Sequence, residues 1–228
     1  MNEQVIMQKK EQGDEKMMKE AKKVFDLWAK VLEGGSAEKV ASMYTDDATF
    51  FPTLNGELKI GKEGAKKYFE HFLQKQPVGK IISSKVAYSD DGQNIVLFGL
   101  YDFEVDIDED GTREAVNAEF TFAFKQKNDS DKGEISHHHS ALINKIGELS
   151  LPQEIMLDTN TDFEDEFTKV YDETNSDAIE KVVSQKSVDG SMMTFSVLSE
   201  KTRSSVVYSK IKDNTWRLVH HQFSPRPE

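Results

Sequence analysis

His137-His138-His139-Ser140 is the segment of this sequence best equipped for chemistry. An imidazole titrates near neutrality, and a serine hydroxyl both donates and accepts hydrogen bonds. These residues close a stretch of alternating strand character running from Val116 to Ile135. On a strand, successive side chains point to opposite faces. His137 and His139 therefore share one face, and His138 and Ser140 share the other. Only the His137/His139 pair could hold one ion together, and zinc would need further ligands. The chain has no cysteine, and its other histidines are His71, His220 and His221. Ligand spacing thus supports neither zinc nor manganese, and no cofactor is expected. The plain alternative is that the histidines are partly buried strand residues bonded to their neighbours.

The rest of the sequence bounds the context. With 228 residues there is room for one or two domains and an ample core. A net charge of −12 argues against nucleic acid or an anionic membrane as partner. The absence of cysteine fits a soluble protein of a reducing compartment. No apolar run reaches the ~18 residues of a membrane span. Residues 1–19 form a polar, Lys/Glu-rich extension without a signal-peptide core.

The elements that must position the histidine strand follow in order. Val24, Leu27, Trp28, Val31 and Leu32 repeat at helical spacing and stop at Gly34-Gly35. Ser36 is a natural N-cap for a short second helix carrying Val40 and Met43-Tyr44. Asp46-Asp47 predict a turn, and Ala48 to Phe51 a strand ending at Pro52-Thr53. Gly61 precedes a third helix with Ala65, Tyr68, Phe69, Phe72 and Leu73, ended by Pro77 and Gly79. The period then changes to that of strands: Ile81–Tyr88, Asn94–Asp106 and Val116–Lys125, joined by turns at Asp90-Asp91-Gly92 and Asp108–Gly111. A polar turn at Asn128–Gly133 leads into the histidine strand. Three helices followed by long antiparallel strands predict an α+β fold, its sheet curled around a helix.

After a connector at residues 144–160 the pattern restarts. Phe163, Phe167, Val170 and Tyr171 make a helical stripe, which Asn175-Ser176-Asp177 break. Glu180-Lys181-Val182-Val183-Ser184 matches Glu38-Lys39-Val40-Ala41-Ser42 and predicts a second helix with Ile179. His220-His221-Gln222-Phe223-Ser224 repeats the histidine motif in weakened form. Residues 161–228 are therefore expected to be a degenerate, truncated repeat of residues 20–143, lacking the third helix and the first long strands. Gln222 and Phe223 stand where the first copy has histidine and serine, so this copy is expected to be non-catalytic. Its expected role is to shield the open face of the first domain or to mediate association.

This layout resembles the nuclear-transport-factor-like cone superfamily, which includes SnoaL-like proteins and the calcium/calmodulin-dependent kinase association domain. Within it, His137-His138-His139-Ser140 resembles the His-His-His-Ser-Ser motif of iota-class carbonic anhydrases, with Ala141 in place of the second serine. Pro52-Thr53, Tyr68-Phe69, Gly99-Leu100-Tyr101-Asp102-Phe103 and Ala118-Glu119-Phe120-Thr121-Phe122 extend the likeness. The resemblance implies reversible hydration of carbon dioxide to bicarbonate, which some family members perform without a metal. It places the family's polar trio on Thr53, Tyr68 and Ser140.

Beside that, the residues suggest their own roles. His138 shares a face with Ser140 and would polarise it or take its proton. His139 would relay protons or merely pack. Phe51, Tyr101, Phe120, Phe122, Phe124 and His137 are the expected walls of an apolar substrate pocket, with core packing as the alternative for the phenylalanines. Two other functions fit the layout: a non-catalytic association module that assembles a larger complex, and a SnoaL-like isomerase or small-ligand binder; a homodimer or intrachain pseudo-dimer is the expected association of the chain itself. The isomerase would need a carboxylate base in the pocket, with Asp102 and Glu119 as candidates.

Overall fold

The computed structural model of the chain describes residues 3–106, 111–126, 133–143, 153–156, 162–174, 178–212 and 215–227. The expected turns at 108–110 and 128–132, most of the connector at 144–160 and the break at 175–177 lie outside these residues.

The first helix, α1 (Glu3–Glu33), absorbs the polar extension and continues into the expected stripe. Ala21, Val24, Phe25, Trp28 and Leu32 are buried, one helical face in the 3–4 spacing of a core-facing stripe. Leu27 points out instead and is 42% exposed. Gly35, at φ 67, ends the helix in the left-handed region that glycine tolerates best. Ser36 caps α2 (Ala37–Ala41), accepting from the Lys39 backbone N–H at 3.3 Å. The third helix, α3 (Gly61–Phe72), buries Ala65 and Phe69.

The strands are β1 (Tyr44–Phe51), β2 (Lys59–Ile60), β3 (Val78–Tyr88), β4 (Asn94–Asp106), β5 (Arg113–Lys125) and β6 (Glu134–Leu142). They form one six-stranded sheet in the order β2-β1-β6-β5-β4-β3. Two expectations need correction. Asp46-Asp47 is not a turn but lies within β1, where a register shift between Tyr44 and Thr49 turns both side chains outward. The sheet is also not wholly antiparallel, because β1 runs parallel to β6. That pairing brings Phe50 beside His138 and Phe51 beside His139. The sheet curls over α1 and α3, and Trp28, Phe25, Phe69, Tyr101, Phe120, Phe122 and Phe124 fill the concave side. Burying one such ring stabilises the fold by about 1.5–3 kcal/mol. At Gly99, a Cβ would overlap the Ser83 carbonyl, beside the bulge between Ile81 and Ser83 that bends β3.

A second, smaller unit follows: α4 (Phe163–Thr174) and a five-stranded sheet, β7 (Glu154–Met156), β8 (Ile179–Lys186), β9 (Met192–Ser199), β10 (Thr202–Lys212) and β11 (Thr215–Pro225), ordered β7-β11-β10-β9-β8. The expected second helix here is strand β8. Val182 and Val183 are β-branched, and pairing with β9 decides their state against the five-residue match to α2. This unit thus has four long strands, β8 to β11. Its helix α4 buries Phe163, Phe167 and Tyr171 against Phe195 and Tyr208.

The two sheets pack face to face. Val96 and Ala123 of the first meet Met192 and Val207 of the second. Polar contacts flank this apolar patch in a reciprocal pattern. Ser205 Oγ lies 2.7 Å from both His137 Nε2 and His139 Nδ1. Thr121 Oγ1 lies 2.7 Å from His220 Nε2 and donates to Gln222 Oε1 at 2.6 Å. The β3–β4 and β8–β9 turns also meet, with the Asp90 N–H on Ser191 Oγ at 2.9 Å and the Asp91 N–H on Asp189 Oδ2 at 3.0 Å. The second unit therefore covers the convex face of the first sheet.

Candidate functional site

The alternation on β6 separates its residues as strand geometry requires. His138 and Ser140 face the concave, helix-lined side, while His137 and His139 face the second sheet. On the concave side a small cavity of about 10 Å³ is lined by Trp28, Phe50, Thr53, Tyr68, Phe69, Phe72, Tyr101, Phe103, His138 and Ser140. That is about the space of one water molecule. Tyr68 and Phe72 also line an open vestibule of about 340 Å³ with Leu54, Asn55, Lys59, Lys67, His71 and Lys75. These two aromatic residues therefore stand between the cavity and solvent.

Ser140 is the polar centre of the cavity. Its Oγ shares a short hydrogen bond with Thr53 Oγ1 and accepts another from the Tyr101 hydroxyl. Burial pushes the Tyr101 hydroxyl above its ordinary pKa, so it stays protonated and acts as a donor. Tyr68 is shifted upward for the same reason. His138 does not bond Ser140. Its Nδ1 lies 2.8 Å from the Tyr44 hydroxyl, and its Nε2 has no partner among the described residues. Its ring is stacked on Phe122 at 3.9 Å and on Phe50 at 4.5 Å. Burial, and after it the neighbouring His137, holds the His138 imidazole well below its usual pKa. The expected near-neutral proton acceptor is thus a neutral hydrogen-bonding ring.

His139 and His137 lie on the far side of the sheet from Ser140. His139 bonds Ser205 and, through Nε2, Ser224 at 2.9 Å. His137 reaches Thr49 at 2.7 Å and Ser196 at 3.0 Å through Nδ1. Burial holds His137 down to about 3 and His139 well below its usual value. Phe51 also faces this side, against the His139 ring. Phe120 and Phe122 back the cavity rather than line it: Phe120 stacks on Tyr101 at 4.9 Å, Phe122 on His138. Phe124 stacks one step further on, against Phe122. So Thr53, Tyr68, Tyr101, His138 and Ser140 come together, while Phe51, His137, His139 and Phe124 do not join them.

Neither carboxylate candidate lines the cavity. Asp102 accepts from the Asn117 side chain at the surface, and Glu119 lies beside Ala118 and Phe120 on the opposite face of β5. Several contributors were not expected as site residues, Phe50, Phe72 and Phe103 among them. Trp28 stood in the α1 stripe and Phe69 on the third helix, both as packing residues. Tyr44 was placed on the second helix, and nothing in its spacing marked it as the partner of His138.

Arg203, on β10, had no sequence signal at all. It is 1% exposed, and its guanidinium reaches back to the first unit. Nη1 donates to the Pro52 carbonyl and to that of Asn55 at 3.0 Å; Nη2 lies 3.5 Å from the Ser140 carbonyl. The second unit thus holds both the 52–55 segment bearing Thr53 and the backbone of Ser140.

A curved sheet closed over α1 and α3 is the architecture of the nuclear-transport-factor-like cone proteins. The family model for the calcium/calmodulin dependent protein kinase II association domain matches residues 17–143, and the chain belongs to that family. The solved association-domain protein of Xanthomonas campestris is 33% identical over 56% of this chain and 88% of its own, with a TM-score of 0.52. The CamKII hub homology domain of Chlamydamonas reinhardtii is 20% identical over 56% of this chain and 98% of its own (TM-score 0.46). An NTF2-like protein of Salmonella enterica is 11% identical over 58% and 95% (TM-score 0.48). No curated protein matches the chain significantly. No helix among the described residues is long and apolar enough to cross a membrane.

Proposed function

We propose that the first cone is a small-molecule site and that the reaction it fits best is reversible hydration of carbon dioxide to bicarbonate. The observation that carries this reading is the Thr53–Ser140–Tyr101 hydroxyl cluster, set in an aromatic cavity about one water in size. The cavity has room for the attacking water alone, so carbon dioxide, which is apolar, approaches it from the vestibule past Tyr68 and Phe72, whose rings must give way. Thr53 and Ser140 can hold the attacking water, since each hydroxyl donates and accepts. The water oxygen adds to the carbon, negative charge gathers on the carbon dioxide oxygens, and a donor such as Tyr101 stabilises it. The water's proton must leave. His138, with its lowered basicity, holds it poorly, so the proton passes toward the vestibule and solvent, and turnover is modest. The His-His-His-Ser motif supports the same reading by resemblance.

The test is stopped-flow carbon dioxide hydration by chelator-treated protein, wild type and Ser140→Ala. Activity that drops at least tenfold in a folded variant supports the reading. No activity in the wild type, with or without added zinc or manganese, sinks it.

The family match favours a second reading, a module that associates with copies of itself. Light scattering separates the two: a large assembly without turnover belongs to the association module. In either case we take the second sheet to be a trimmed copy of the first. The antiparallel runs β3-β4-β5-β6 and β8-β9-β10-β11 share an order, and His137-His138 and His220-His221 sit in the last strand of each.

A further inference from the structure

The geometry points to a binding site for a small oxyanion, of the bicarbonate or acetate class, at the seam between the two units, anchored by Arg203. A cavity of about 170 Å³ lies there, lined by Arg203, Thr53 and Ser224 among Leu54, Ala141, Leu142, Pro225 and Pro227. Arg203 is the only charged residue in that lining. A guanidinium carries five N–H groups. Three carbonyl contacts engage the two terminal nitrogens, and Nε is buried without a partner among the described residues. No carboxylate among the described residues bonds it. Its flank is the Phe51 ring, 5.8 Å away, which adds attraction but no compensating negative charge.

A buried cation without a counter-ion is costly. The carbonyl dipoles offset part of that cost, and an anion in the adjoining space would offset the rest. The size of the cavity sets the class. It holds an anion of a few heavy atoms with a water or two, at roughly 30 Å³ per water, and is smaller than the ~300 Å³ that drug-sized ligands need. The Nε/Nη2 edge of the guanidinium suits two oxygens of one planar oxyanion, and the Ser224 and Thr53 hydroxyls, bonded to His139 and Ser140, line the same space. Thr53 also lines the cone cavity, so occupancy of the seam would be felt at Ser140 through Thr53 and through the Ser140 carbonyl. This inference does not depend on carbon dioxide turnover.

The test is thermal unfolding and calorimetric titration of the full chain with sodium bicarbonate and sodium acetate, against sodium chloride at equal ionic strength. The expected result is a saturable rise in melting temperature with either oxyanion and none with chloride. Arg203→Gln should weaken binding at least tenfold. Leu142→Trp keeps the arginine and fills the cavity from a half-exposed position, and should abolish the rise even if Arg203→Gln does not fold. A wild type with no saturable response, or a folded Arg203→Gln with an unchanged one, overturns the site and leaves Arg203 as a staple for residues 52–55. Turnover lost in Ser140→Ala with the anion response intact would separate this site from the cone cavity.

Discussion

Thr121 stands to His220 across the two sheets as Ser205 stands to His137: each hydroxyl oxygen lies 2.7 Å from an imidazole Nε2. Thr121 donates its one hydrogen to Gln222, so it must accept from His220, whose Nε2 then carries the proton. Ser205 likewise has one hydrogen for two rings, so it donates to one of His137 and His139 and accepts from the other. The ring that accepts from Ser205 must be neutral, and burial disfavours the charged form of all three.

That requirement makes stability depend on acid. The folded-state pKa values of His137, His138 and His139 lie below the unfolded value near 6.5, with His137 at about 3. Above that unfolded value neither state is protonated, and the full stability is present. Below it the unfolded chain takes up protons that the folded chain refuses, so stability is lost as pH falls toward the folded values. Each buried ring costs about 1.4 kcal/mol per pH unit; His220, at about 3, and His221, at about 4, are lowered as well, so the five together cost about 7. Urea unfolding at pH 7.5 and 5.5 should show a loss of that order. Equal midpoints would mean the rings are protonated in the fold.

The apolar centre of the same interface is a separate test. Val207 is fully buried against Val96, Ala123 and Met192. Val207→Asp should cost about 4 kcal/mol or more, because it leaves an unpaired carboxylate between two sheets. Calorimetry should show a greatly lowered transition, or two transitions in place of one.

Tyr101 and Tyr68 can be set against each other in the cone. Tyr101→Phe keeps the stack on Phe120 and removes the hydrogen bond to Ser140, at about 1 kcal/mol of stability. Carbon dioxide hydration should fall further in Tyr101→Phe than in Tyr68→Phe. The reverse order would return the donor's role to Tyr68, where the family resemblance places it.

Gly99 tests the curvature of the sheet. Gly99→Ala drives a methyl into the Ser83 carbonyl, a backbone atom that cannot swing aside. A loss of about 3 kcal/mol is expected from denaturant midpoints. A neutral outcome would mean that the β3 bulge yields easily.

Much of the first cone was legible in the sequence because its signals are local. The Trp28 stripe, the Ser36 cap, the strand from Asn94 to Asp106 and the split of His138 from His137 and His139 follow from periods of 3.6 and 2. What was not legible depends on distant pairing. Glu180-Lys181-Val182-Val183-Ser184 closely matches a helical segment yet forms a strand, since short segments take the state their neighbours enforce. The faces of Phe51, His137 and His139 were undecided until β1 paired with β6 and the second sheet closed over them. Arg203 had no local mark, because its carbonyl partners at Pro52 and Asn55 lie about 150 residues away in the chain.

The covering of the first sheet by a sheet of the same chain changes what dilution does to the protein. Two separate cones would part once their concentration fell below their dissociation constant. Here the cover belongs to the same chain, so its local concentration does not fall with dilution. The face bearing His137 and His139 therefore stays dry however scarce the protein is, and Arg203 remains in place behind Ser140 without waiting for a second molecule.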